Sequence, residues 1–202
     1  MKNRDFLITG DGNWQVCKPA QEWDLLRTPY YLHRFLTEVE DSLNRGYDEI
    51  ECLAALRLIV RRLITNSYWV RTQKPESADK GIPALMLYDE IGFPLTVQTA
   101  IAQPGAKSTI HNHGNWGIVA ILEGEEQNQL WRRTPDSQFP NRVEKVGAIT
   151  LLPGDIISFT SDAIHSIEAV GDEPTFSFSL YGETYHSRRF EYDTICHTAK
   201  NF

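Results

Sequence analysis

The sequence predicts a mainly β protein, a barrel or double-sheet jelly roll with α-helices on its N-terminal side. From Ala84 onward the chain falls into eight short β-rich runs: ALMLYDE, FPLTVQTAIA, a run carrying two histidines, EEQNQLWRR, VEKVGAITLL, DIISFT, HSIEAV and TFSFSLYG. Their near-regular spacing between turn residues is the pattern of a closed or doubled sheet. In the last run, Phe176, Phe178 and Leu180 alternate with Ser177, Ser179 and Tyr181. One face of that strand is apolar and the other carries hydroxyls, so the barrel interior is expected to be polar at one end. Ahead of residue 84 the apolar spacing is helical instead.

Residues 1–21 are polar and read as irregular, with Trp14, Val16 and Pro19 laid over the body. A first helix is expected from Glu22 to Asn44. Leu32, Phe35, Leu36, Val39 and Leu43 mark one face, Thr28-Pro29 the start and Gly46 the stop. A second is expected from Asp48 to Asn66, with Leu53, Leu56, Ile59, Val60 and Leu63 as its stripe. Acids in its first turn and Arg61 and Arg62 near its end suit the helix dipole. His33 reads as a helix-surface residue. Residues 67–83 read as a polar loop anchored by Tyr68 and Trp69. The expected organisation is one structural unit, with segment 1–83 packing its two helices on a barrel of residues 84–202.

Composition narrows the function. The chain has 202 residues, 41% of them hydrophobic, and a net charge of −7 with no basic tract, which disfavours nucleic acid or an anionic membrane as partner. No apolar run has the length of a transmembrane span, and MKNRDFLITGDGN lacks a signal peptide's apolar stretch. Cys17, Cys52 and Cys196 are scattered and odd in number, which suits a reducing cytoplasm rather than a disulfide framework.

The stretch Pro104–Gly124 carries the chemistry. His111 and His113 are two apart, and on a strand they share a face, a natural pair of metal ligands. His165, about fifty residues later and beyond a turn at Pro153-Gly154, is the candidate third ligand. His186 and His197 read as surface residues.

Gly105-x5-His111-x-His113 with a turn at Gly124 resembles the first cupin motif, and Gly147-x5-Pro153-Gly154 followed by His165 resembles the second. In the second, no residue separates proline from glycine and the gap to the histidine is longer. The glutamate that the first motif normally carries is missing, since Gly117 and Ile118 stand there. What remains is a three-histidine site in an expected double-stranded β-helix. A three-histidine cupin behind a helical pair resembles the thiol dioxygenases, cysteine dioxygenase and 3-mercaptopropionate dioxygenase. Supporting motifs are Trp69, Leu87-Tyr88, HNHGNWG at 111–117, IHS at 164–166, LYG at 180–182 and Arg188-Arg189. The texture is closest to the bacterial branch that takes 3-mercaptopropionate or a broad range of thiols.

The resemblance implies Fe(II) held by His111, His113 and His165, with a small thiol and O2 as substrates and a sulfinic acid as product. Neutral imidazoles leave the ion's charge intact, which favours a bound thiolate. It also implies a network on the last strand, here Ser177, Ser179 and Tyr181. Ser179 replaces the family's central histidine, so the network can orient Tyr181 but cannot buffer a proton. The position of the usual carboxylate-binding arginine or glutamine falls on Ala84, beside Pro83. Arg71, Gln98, Gln129, Arg132 and Arg133 are possible substitutes, and Ile118 stands where animal cysteine dioxygenases have their crosslinking cysteine. Two other functions stay open: a metal-binding cupin of another class (an isomerase or non-thiol dioxygenase), or a non-catalytic cupin that binds a small ligand or serves in assembly. The sequence leaves the oligomeric state and the choice of thiol undetermined.

Overall fold

The computed structural model describes residues 3–21, 25, 28–76 and 81–202. Two sheets face each other. One has seven strands in the order β2-β1-β9-β6-β11-β4-β3, the other six in the order β13-β12-β5-β10-β7-β8. The strands are β1 (Asp5–Ile8), β2 (Trp14–Cys17), β3 (Ala84–Asp89), β4 (Leu95–Ala102), β5 (Ile110–Asn112), β6 (Gly117–Glu123), β7 (Glu125–Arg133), β8 (Val143–Leu151), β9 (Ile156–Phe159), β10 (Ile164–Val170), β11 (Thr175–Gly182), β12 (Phe190–Asp193) and β13 (Thr198–Asn201). This is a mainly β double-stranded β-helix with minor N-terminal helices. All eight runs contain strand.

The run carrying the histidine pair is two strands, not one. β5 belongs to the six-stranded sheet and β6 to the seven-stranded sheet. The chain crosses between them over residues 113–116, and Gly114 makes the crossing at a φ of +66°.

The N-terminal stretch departs from its expected irregularity. β1 is buried throughout, pairs antiparallel with β2 and parallel with β9, and so completes the larger sheet. Its apolar run is only Phe6-Leu7-Ile8, too short to stand out in a polar segment. Asp5 is buried because Arg61 of the second helix forms an ion pair with it. β12 and β13, also unforeseen, extend the smaller sheet beyond β5.

Helix α1 runs Leu32–Leu43 behind Tyr31, so Thr28-Pro29 lies outside it. Of the expected earlier start, residues 22–24 and 26–27 lie outside the described residues. His33 is exposed and stacks on Tyr31. Helix α2 runs Glu49–Asn66, opened by a capping box of Asp48 and Glu51. Its arginines serve the fold rather than the helix dipole. Arg61 meets Asp5 and the Gly154 carbonyl, while Arg57 donates to Ser158 Oγ at 2.9 Å. A short helix α3 (Tyr68–Thr72) interrupts the expected loop. Tyr68 is 82% exposed and Trp69 40%, so neither anchors it; Val70 is the buried residue.

The main core lies between the helices and the outer face of the larger sheet. Phe35, Val39, Leu53, Leu56, Val60 and Leu63 meet Phe176, Phe178 and Leu180 there. A second cluster inside the barrel includes Phe6, Ile8, Val119, Ile121, Leu130 and Phe159. The other face of β11 is left free to line a polar interior. Among the described residues no helix is long and apolar enough to cross a membrane.

Candidate metal centre

β5 and β10 are neighbours, and His111 stands opposite His165 across that pair. His113 follows β5 directly, at the start of the crossing. The ligand atoms of the three histidines all lie within 4.8 Å of one another. Nε2 of His113 and Nε2 of His165 are 3.0 Å apart. That is the spacing of adjacent corners of an octahedron with metal–nitrogen bonds of about 2.1 Å.

The tautomers suit ligation. His111 Nδ1 donates to the Thr109 carbonyl at 2.9 Å, and His165 Nδ1 donates to Asn128 Oδ1 at 2.9 Å. Each Nε2 is then a bare lone pair facing its neighbours. Burial lowers the pKa of His111 and brings those of His113 and His165 well below the ordinary imidazole value, with the facing histidines adding to the effect. Neutral, converging imidazoles fit a divalent transition-metal ion, and the donor set by itself suits several.

Close packing holds the surrounding loop. A Cβ at Gly114 would stand 2.7 Å from the Arg188 backbone, and one at Gly117 would stand 2.8 Å from the Tyr181 ring. Asn112 Nδ2 donates to the Arg188 carbonyl at 3.0 Å and its Oδ1 accepts from Phe190 N–H at 2.9 Å. Asn115 Nδ2 donates to the carbonyls of Gly182 and Glu183 at 2.8 and 2.9 Å. The HNHGNWG stretch therefore ties the histidines to the segment after β11.

β11 supplies the facing wall, as its alternation suggested. Ser177 and Ser179 are buried, and Tyr181 stacks on His113 with ring centroids 4.8 Å apart. Burial raises the Tyr181 pKa, against the pull of a hydrogen bond with Ser179, so the phenol keeps its proton. The cavity has an inner compartment of about 120 Å³ and an outer one of about 460 Å³. Gln98, His113 and Tyr181 border both.

Ala84 lines the inner compartment with Ala100 and Ala102. It does face the cavity, and it offers only a methyl group. Of the substitutes considered from sequence, Gln98 alone reaches the cavity. Arg71 points to the Ile64 carbonyl, Arg132 to Glu144 and Arg133 to Asn141, while Gln129 lies on the face of β7 opposite Asn128.

Three residues take places that the sequence reading did not give them. Arg189 borders the outer compartment, its guanidinium 4.3 Å from the Phe202 ring centre, and its buried Nε has no hydrogen-bond partner among the described residues. Glu126 and Asn128 line the inner compartment. Burial pushes the Glu126 pKa up to about 7, against a hydrogen bond from Asn128. The legible sign was strand alternation, which puts Glu126, Asn128 and Leu130 on one face of β7. His186 borders the outer compartment as an exposed residue, and His197 packs on Phe139 instead.

No family model and no curated protein matches the chain. Solved structures do. A cupin superfamily protein from Desulfitobacterium hafniense DCB-2 is 15% identical, over 54% of this chain and 84% of that one, with a TM-score of 0.41. A protein with a double-stranded β-helix domain from Klebsiella pneumoniae is 16% identical, over 58% and 84%, with a TM-score of 0.45. A cupin-like protein from Thermotoga maritima is 19% identical, over 63% and 86%, with a TM-score of 0.42. The functional reading rests on the site and not on these likenesses.

Proposed function

We propose that the protein is a non-haem iron thiol dioxygenase acting on a small thiol, cysteine or 3-mercaptopropionate in kind. The reaction is R–SH + O2 → R–SO2H, with both oxygen atoms delivered to sulfur. The observation that carries this reading is the protonated Tyr181 stacked against one of three converging, neutral histidines in a small buried cavity. Iron(II) held by His111, His113 and His165 would supply open coordination positions and the redox chemistry that joins thiol to oxygen.

The chain's own groups do the rest. The histidines contribute no charge, so an ion held by them would keep its full charge and favour loss of the thiol proton. Tyr181 keeps its phenolic proton and can donate it to a substrate oxygen or sulfur, with Ser179 orienting the hydroxyl. Ser177 adds a second hydroxyl on the same wall. The inner compartment limits what can sit beside the histidines to a few heavy atoms. With a methyl group at Ala84, a substrate carboxylate is met by Arg189, whose Nε is buried and unpaired, or by the Gln98 amide. The site is proposed to work in the cytoplasm, with no nucleic-acid or membrane partner.

Oxygen uptake and sulfinate formation by iron-loaded protein over a panel of small thiols test this reading. Uptake matched one-for-one by sulfinate supports it. No uptake with any thiol, in protein that holds iron at full stoichiometry, overturns it. Ala84 and Ser179, both departures from the family pattern, favour a metal-dependent cupin of another class or a non-catalytic binder, and that second result would select between them and an enzyme of this kind.

A further inference from the structure

A carboxylate stands one step behind the three histidines, where no metal ligand is called for. Glu126 and Asn128 are buried neighbours on the inward face of β7. Asn128 Nδ2 donates to Glu126 Oε1 at 2.8 Å, and Asn128 Oδ1 lies 2.9 Å from His165 Nδ1. These groups form one chain from acid to amide to imidazole, with its far end at the proposed metal position.

An asparagine amide is nearly symmetric in shape, and its two ends differ only in whether they donate or accept. Next to the ionised carboxylate the NH2 end is held against the acid, because the carbonyl end would meet two more acceptors. The carbonyl is then forced toward His165, where it accepts from Nδ1–H. That fixes the tautomer with its lone pair on Nε2, the atom that faces His113 at 3.0 Å. The opposite amide orientation would place NH2 against Nδ1, move the ring proton to Nε2 and remove a ligand.

We propose that Glu126 is a positioning residue for metal binding, which sets the orientation of the Asn128 amide and through it the tautomer of His165. The proposal rests on the three-histidine metal centre but not on thiol turnover. The cupin motif's usual ligating glutamate is missing from β6, and the acid on β7 acts one residue removed instead. It organises a histidine without reducing the charge on the ion.

The test uses three proteins: the unaltered chain, Glu126→Gln, and the double variant Glu126→Gln with Asn128→Asp. A glutamine at position 126 keeps volume and hydrogen bonding but can present either end, so the Asn128 amide loses its enforced direction. In the double variant the polarity is restored. The new carboxylate at position 128 accepts from His165 Nδ1–H, and the glutamine amide donates to it. Iron(II) or cobalt(II) affinity is measured by chelator competition at a pH where Glu126 is ionised, and imidazole tautomers by ¹⁵N NMR on metal-free protein at the same pH, with melting curves to verify folding. Affinity is expected to fall about tenfold or more in Glu126→Gln, the size seen when a metal ligand's partner is removed, and to recover in the double variant. An Nε2–H tautomer of His165 is expected in the single variant only. Unchanged affinity and tautomer in folded Glu126→Gln, or a double variant no better than the single one, overturns the proposal. If the unaltered protein binds neither metal at these histidines, the proposal falls together with the metal centre. Metal binding without thiol oxidation overturns only the proposed reaction.

Discussion

The two faces of β11 do opposite work. Phe176, Phe178 and Leu180 point outward into the helix-covered core, and Phe178 meets Phe35 edge-on with centroids 5.8 Å apart. Ser177, Ser179 and Tyr181 point inward to the histidines. Much of the apolar burial is thus made outside the barrel, against α1 and α2. That frees the interior to hold an acid, amides and hydroxyls, which would weaken an ordinary core. Stability and chemistry are separated by one residue's step along a strand.

Substitutions on each face should therefore have separable effects. The largest is expected at His165→Ala: metal content falls far below one ion per chain and thiol-dependent oxygen uptake falls to background, while the metal-free protein loses only about 1–3 kcal/mol, the cost of leaving the buried Asn128 carbonyl unpaired. A large loss of metal-free stability would break the separation. On the outer face, Phe178→Ala should cost about 3–5 kcal/mol by denaturant unfolding, with metal stoichiometry unchanged in the folded fraction.

Glu126 gives the next effect. Its folded pKa of about 7 lies above its ordinary 4.5. Between those values the folded chain keeps a proton that the unfolded chain has lost, so this group's contribution falls as pH rises through that window. The stability of metal-free protein minus that of Glu126→Gln should therefore drop by up to about 3 kcal/mol across it. Taking this difference cancels the titration of the histidines. A flat difference curve would mean that the interior solvates the acid after all.

Arg189→Met should raise KM for carboxylate-bearing thiols about 10–100-fold, the worth of a hydrogen bond to a charged group. KM for an uncharged thiol should stay unchanged. An equal change for both would show that Arg189 shapes the cavity rather than reading the substrate. The smallest effect is expected for Ser179→Ala, about 1 kcal/mol in unfolding, with a modest loss of turnover as Tyr181 loses its hydrogen bond.

What was legible in the sequence followed its strongest periodicities. Each of the eight runs holds strand, although the histidine run divides into β5 and β6, and the two faces of β11 were read correctly because alternation of two residues is hard to mistake. The meeting of His165 with the histidine pair was accessible too, through spacing and resemblance. Two kinds of feature were hidden. β1 is four residues long and gains its place from a parallel partner about 150 residues away, a pairing no local pattern encodes. Arg61 was read as a charge suiting the helix dipole and Arg57 drew no reading, because their partners, Asp5 and Ser158, are remote in sequence. Arg189 appeared only as part of a motif, since its place over the cavity depends on Asn112 and Gly114 gripping the adjoining backbone.

That grip makes the wall of the outer compartment depend on the hairpin of β12 and β13. β12 pairs with β5, Asn112 Nδ2 holds the Arg188 carbonyl and Gly114 packs against the same backbone, so Arg189 borders the vestibule only while that hairpin is docked.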